Sequence, residues 1–420
     1  MTSLNRRDCL RQLAASLGGV SLAAGPAFNP FAAAAGGKRA KKSVAAVITV
    51  YFPNSHADVL LTKILEGWNH DGGPGPDLTL ASMYVDQFPK RDMARAMSEK
   101  HGVPIFETIE QAVTVGSDAI PVDGVIVIGE HGNYPWNEKE QHLYPRRRFF
   151  EETTDTFAKY GRVVPVFHDK HPGPEWKDTK WMYDRARAMK VPFMAGSSLP
   201  VSFREPDLSI PMGCDLEGAV GIGYSGLDVY GFHALECWQS FVERRRGAEQ
   251  GVKSVQYIEG PAMWQVLEGG RVSPELFEAA LAATPRRGDL DPREDPRSAL
   301  MLFEYMDGFV GALFMLQTVS RSAIAVKLKG ESEPRACHFA ERAEPRYPHF
   351  AYLLKAIERM MHTGEPTYPV ERTILTAGIL DRALTSRHEG GKKLDTPELQ
   401  LAYQPVDYPH APNPDLLQPW

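Results

Sequence analysis

Between Ser43 and Gly196, short apolar runs alternate with stretches whose apolar residues recur every three or four positions, which predicts strands interleaved with helices. Val44–Val50 is an apolar run of strand length and Val125–Ile128 is fully apolar, as strands buried on both faces are. Further strands are expected at 78–85, 104–106, 163–167 and 192–195. Ser55 is placed to cap a helix with Asp58 three residues on, and Ala57, Leu60, Leu61, Ile64 and Leu65 form its apolar face up to Gly67. Other helices are expected at 92–100, from Pro145 to Lys159, and where Met182, Ala186 and Met189 share a face.

After Gly196 the pattern changes. A Pro-containing link leads to a strand at 219–223, a helix at 230–245 and a strand at 252–259. Runs at 300–306 and 309–316 flank Asp307-Gly308, a strong hairpin signal, and another strand follows at 322–328. Helices are expected at 348–361 and 371–385, and the Pro-rich end after Pro405 reads as extended. The fold class is therefore α/β: a Rossmann-like parallel-sheet domain over 43–196, then an α+β domain over 197–390 with a mostly antiparallel open sheet and helices on one side, then a tail over 391–420. An open sheet face permits pairing of copies into a homo-oligomer.

The first 37 residues read as an address. Arg6-Arg7 precedes a weakly apolar stretch from Leu13 to Ala24 that is too short to span a bilayer, followed by small residues near Ala32–Ala35. This resembles a twin-arginine export signal, which implies a protein delivered folded to the periplasm or another extracytoplasmic space. No membrane span is expected in the mature chain.

Composition narrows the chemistry. Hydrophobic residues make up 43% of 420, so most of the chain can bury a core, and a net charge of -6 offers no cationic field for nucleic acid. Arg146-Arg147-Arg148 and Arg244-Arg245-Arg246 read as solvated helix faces. Beyond Cys9, only Cys214, Cys237 and Cys337 remain, with no Cys-x-x-Cys pair, so they read as small buried residues.

In open α/β sheets ligands sit beyond the carboxyl ends of the strands. The residues in question are Asn54, Ser55 and His56 after the first strand, Asp86 after the second, Gly129, Glu130 and His131 after the fourth, His168, Asp169, Lys170 and His171 after the fifth, and Ser197 and Ser198 after the sixth. Asp86 is placed to accept from ribose hydroxyls, and the helix start at Ser55 can hold an anion. Lys170 follows an apolar strand, where burial lowers an amine's pKa and suits it to proton transfer. His233, with Asp228 before it, lies early in a helix of the second half and can share a substrate hydroxyl with Lys170 across a crevice.

The order of these motifs resembles the Gfo/Idh/MocA oxidoreductase family over residues 43–390. The resemblance implies NAD(P), with Asn54, Ser55, His56, Asp86, Gly129, Glu130, His131 and Asp169 around it, and hydride transfer with a sugar, polyol or related hydroxyl compound. Lys170 matches the lysine of the family's Glu-Lys-Pro segment, although His171 stands in the proline's place. His233 matches the histidine of its Asp-x-x-x-His pair, with Asp228 one residue too distant. Where the family carries G-x-G-x-x-G, Ile48–His56 holds no glycine at all. Two alternatives stand beside the oxidoreductase: a non-catalytic carbohydrate-binding protein on the same fold, and a metal-dependent hydrolase or lyase using His131, His168, Asp169 and His171.

Overall fold

The computed structural model describes residues 40–412; the expected export signal and the end of the tail lie outside them. The first sheet has six parallel strands, β1 (Lys42–Ile48), β2 (Leu78–Val85), β3 (Ile105–Phe106), β4 (Gly124–Ile128), β5 (Val166–Asp169) and β6 (Phe193–Gly196), in the order β3-β2-β1-β4-β5-β6. Its central strands are apolar because helices cover both faces. Helix α1 (His56–Glu66) follows β1 and α2 (Ala94–His101) follows β2; α3 (Ile109–Thr114), α4 (Arg146–Tyr160) and α5 (Trp176–Met189) complete this half. The strand order reverses between β1 and β4, which opens a crevice beyond their carboxyl ends.

The second sheet has eight strands: β7 (Phe203–Glu205), β8 (Leu216–Tyr224), β9 (Val252–Glu259), β10 (Ala299–Tyr305), β11 (Val310–Leu316), β12 (Ala323–Leu328), β13 (Arg335–Ala340) and β14 (Leu394–Asp395). They run in the order β14-β9-β10-β11-β8-β12-β13-β7, antiparallel except for the β8–β11 pair. Asp307-Gly308 turns the β10–β11 hairpin as its sequence requires. Helices α6 (Val229–Val242) and α10 (Glu371–His388) pack Trp238, Phe241, Leu375 and Ile379 into a core continuous with that of the first sheet. Helix α9 (Pro348–Thr363) lies against α1.

Three expectations are corrected here. The second sheet has helices on both faces: α7 (Pro261–Glu268) and α8 (Pro274–Ala283) bring Met263, Trp264, Leu267, Leu276 and Phe277 onto Val220, Ile222, Leu302 and Phe314. The face expected to be open is therefore covered, although Ser273, Pro274 and Glu275 are the cap, first-turn proline and first-turn acid that announce α8. Strand β5 begins at Val166 rather than Val163, because Pro165 has no amide to give a ladder; His168 and Asp169 therefore lie within the strand. The basic runs are not uniformly solvated. Arg146 pairs with Glu130 and Arg245 with Glu249, all buried, because each arginine turns toward a carboxylate inside the fold.

Candidate active site

At the end of β5 the chain turns through Lys170, whose φ of 71° is left-handed. This conformation is unfavourable for a side chain with a Cβ, and the bond from the Lys170 amide to the Gly196 carbonyl at 3.1 Å helps to hold it. The ammonium is buried and hydrogen-bonded to His233 Nε2 on α6. On its other side His233 Nδ1 lies 2.5 Å from Ser197 Oγ. The Ser197 amide donates to Glu236 at 3.2 Å, and Glu236 also accepts from Thr376 at 2.8 Å. Burial, first, lowers the Lys170 pKa, although the charges of Glu130 and Asp169 pull the other way. Burial, reinforced by the Lys170 charge, holds His233 well below the ordinary imidazole range, so its ring is neutral near pH 7.

Beneath this pair lies a second buried set. Arg146 donates to the Gly129 carbonyl at 2.9 Å and to Glu130 at 2.7 Å. It also donates to His171 Nε2 at 2.8 Å, while His171 Nδ1, 2.6 Å from the Gly173 carbonyl, must carry the ring proton. Position 129 is a glycine because a Cβ there would meet Arg146 Cγ at 2.7 Å. Burial raises the Glu130 carboxyl, but the charges of Lys170 and Arg146 outweigh it and hold the group below the ordinary carboxylate range. His56 Nδ1 donates to Asp169 at 2.6 Å, leaving Asp169 Oδ1 without a partner.

The start of α1 is closed by its own residues. Ser55 Oγ accepts from the amides of Phe52 and Asp58, and Asp58 Oδ2 accepts from the Asn54 amide at 2.8 Å; such a cap contributes about 1 kcal/mol. Across the end of β1 runs a clasp between the loops after β2 and β4. Gln87 and Asn133 exchange bonds of 3.0 and 2.9 Å, and Tyr134 donates to Asp86 at 2.7 Å. Asp86 also accepts from Tyr84 at 2.6 Å and Arg148 at 2.5 Å.

No protein-family model matches the sequence, and no curated protein matches it. Solved structures do match the fold. GenD2 from gentamicin A biosynthesis, in complex with NAD, aligns over 86% of this chain and 97% of its own, at 12% identity and a TM-score of 0.54. Scyllo-inositol dehydrogenase from Lactobacillus casei aligns over 86% and 99%, at 9% identity and 0.52. Myo-inositol dehydrogenase from Corynebacterium glutamicum aligns over 84% and 98%, at 11% identity and 0.52. These neighbours are Gfo/Idh/MocA-type dehydrogenases.

The chain has the Gfo/Idh/MocA fold.

Of the residues expected at the centre of such a fold, Lys170 and His233 meet. Asn54, His56, Glu130 and His131 join them around a cavity of about 280 Å³. Asp228 does not take part in the pair: its Oδ2 accepts from the His142 amide at 3.1 Å, and the two His233 nitrogens go to Lys170 and Ser197. One further residue between acid and histidine carries it away. The metal set does not converge either, since His171 is held by Arg146 and Asp169 by His56. Among the described residues no three His, Cys, Asp or Glu side chains are placed to hold an ion. Cys237 and Cys337 are buried and Cys214 is half-buried, all as free thiols. Missed in the sequence were Arg146, hidden in a basic run, and Arg321, Glu341 and His349, which reach the cavity from the second half with no motif around them.

A Gfo/Idh/MocA fold implies a dinucleotide lying from the cavity across the end of β1. The inner end fits a nicotinamide: buried Glu130, Lys170 and His233 line the cavity, and Asp169, next to Lys170 in the chain, has an unpartnered Oδ1. The outer end is held by the chain's own contacts. Asp86, the expected ribose acceptor, is occupied by three donors, and the amides of Asn54, ahead of α1, and of Asp58, in its first turn, already have acceptors. The outer half of a dinucleotide would compete with these contacts.

Proposed function

We propose that the protein is an exported oxidoreductase that moves hydride between tightly held NAD(P) and a hydroxyl of a sugar or polyol. The observation that carries this reading is the Lys170–His233 contact, which joins the two halves of the fold inside a polar cavity. NAD(P), when bound, supplies the hydride acceptor. Neutral Lys170 Nζ then takes the hydroxyl proton as the carbonyl forms, and returns it in the reverse direction. His233 holds the amine in place, with Ser197 and Glu236 fixing the imidazole. Asn54, His56, Glu130 and His131 border the nicotinamide end, and the Arg146–Glu130 pair keeps a negative charge near Lys170.

The base works only when it has lost its proton, so turnover is expected to rise with pH and to level off below the ordinary lysine range. Because Glu130 helps Lys170 hold its proton, Glu130→Gln is expected to move that rising limb to lower pH. A pH–rate profile of both proteins checks this, and an unmoved limb would separate Glu130 from the base.

The clasp favours a second reading, a carbohydrate-binding protein on the same fold without redox turnover. Denaturing the purified, fully processed protein and analysing what it releases decides between them. Nicotinamide nucleotide near one per chain supports the oxidoreductase, and its absence supports the binding protein. Cleavage near Ala32–Ala35 on secretion, read by mass spectrometry, tests export.

A further inference from the structure

Besides Lys170 and His233, the cavity is lined by polar residues that proton transfer does not use. Arg321 comes from the turn between β11 and β12, Glu341 follows β13, and His349 lies in the first turn of α9. Glu341 is mostly buried and accepts from Tyr224 at 2.5 Å; among the described residues it has no salt bridge. Arg321 donates to the Ser320 carbonyl at 2.7 Å and likewise forms no salt bridge among them. His349 is buried, its ring bonds to the backbone of Arg342, and its Nδ1 has no partner. His131 Nε2, at the same cavity, is also unpartnered. Burial holds both rings neutral, His131 at about 4 and His349 at about 3.

Buried polar atoms without partners are rare in folded proteins, and two of them around one cavity call for a ligand that supplies hydrogen bonds. Charge restricts which ligand. Against the one guanidinium, Arg321, the cavity sets two carboxylates, Glu130 and Glu341, and the base form of Lys170 carries no charge. A carboxylated or phosphorylated substrate would add a negative charge to a set with no surplus of positive charge.

We infer that Arg321, Glu341, His349 and His131 form a substrate-orienting wall that selects an uncharged polyhydroxylated ring over its acidic or phosphorylated counterparts. Arg321 donates to ring hydroxyls, Glu341 accepts from them, and each imidazole supplies one nitrogen. Together they set which hydroxyl faces Lys170. The inference rests on the sugar or polyol reading of the cavity.

Titration calorimetry of the full chain with myo-inositol, D-glucose, D-glucuronate and glucose 6-phosphate tests it. The unaltered protein is expected to bind one or both neutral rings at least tenfold more tightly than either anion. Glu341→Gln leaves Arg321 unbalanced, so the ratio of neutral to glucuronate affinity is expected to fall at least tenfold. Arg321→Gln is expected to raise it. A purely structural role would weaken all four ligands together and leave the ratio unchanged. An unchanged ratio in both variants, a preference for an anion in the unaltered protein, or no binding of either neutral ring overturns the inference. Absence of bound nucleotide would sink the redox reading while leaving these ratios readable.

Discussion

Lys170→Met is expected to lower turnover by about 10²- to 10⁴-fold, the range that a positioned base contributes. Fold and nucleotide content are expected to change little. Methionine has nearly the reach of lysine, so the cavity stays packed, and what disappears is the one amine in contact with His233 Nε2. A buried ammonium carries a large desolvation penalty, here offset by Glu130 and Asp169, so its removal does not by itself unfold the protein. The observable is the rate of nicotinamide reduction in a single turnover with a neutral sugar or polyol, alongside the thermal midpoint. A rate within tenfold of the original, at an unchanged midpoint, would remove Lys170 from the chemistry.

Arg146→Leu is expected to destabilise the protein by about 3–5 kcal/mol, the usual effect of breaking a buried ion pair by deleting one partner. Three groups lose a donor at once: the Glu130 carboxylate, the Gly129 carbonyl and His171 Nε2. Pairing it with Glu130→Leu is expected to restore part of the loss, since the stranded charge goes too. The sign of the pH effect follows from linkage. Without Arg146, the folded pKa of Glu130 moves up from its lowered position, because one of the charges that offset burial is gone. The deficit is then smallest in strong acid, where the carboxyl is protonated in both proteins, and grows as pH rises and the carboxyl ionises. Urea unfolding at acid and neutral pH checks both statements. A loss under about 1 kcal/mol at neutral pH would show that the surrounding charges do not depend on the guanidinium.

Much of the fold was legible because its strongest signals are local. Val44–Val50 and Val125–Ile128 can hardly be anything but buried strands, and Asp307-Gly308 between two apolar runs can hardly be anything but a hairpin. Lys170 and His233 were legible for a different reason: strand ends and the early turns of the following domain are where this architecture gathers its chemistry. Arg321, Glu341 and His349 carry no such marker: Glu341 is bonded to Tyr224, 117 residues away, and only tertiary packing brings all three to one cavity. Arg146 was misread since charge runs along a helix are usually solvated, and only tertiary packing distinguishes the one arginine that turns inward. The register of β5 depended on Pro165, a residue whose missing amide shortens a strand without changing its apolar appearance.

The Gln87–Asn133 and Tyr134–Asp86 bonds give the crevice an internal competitor. A dinucleotide arriving over β1 would meet a seat already taken, and its apparent affinity would be its intrinsic affinity scaled by the fraction of molecules in which that seat is vacant. The loops after β2 and β4 would thereby tune how tightly a dinucleotide binds, a rheostat contained within the first half of the fold.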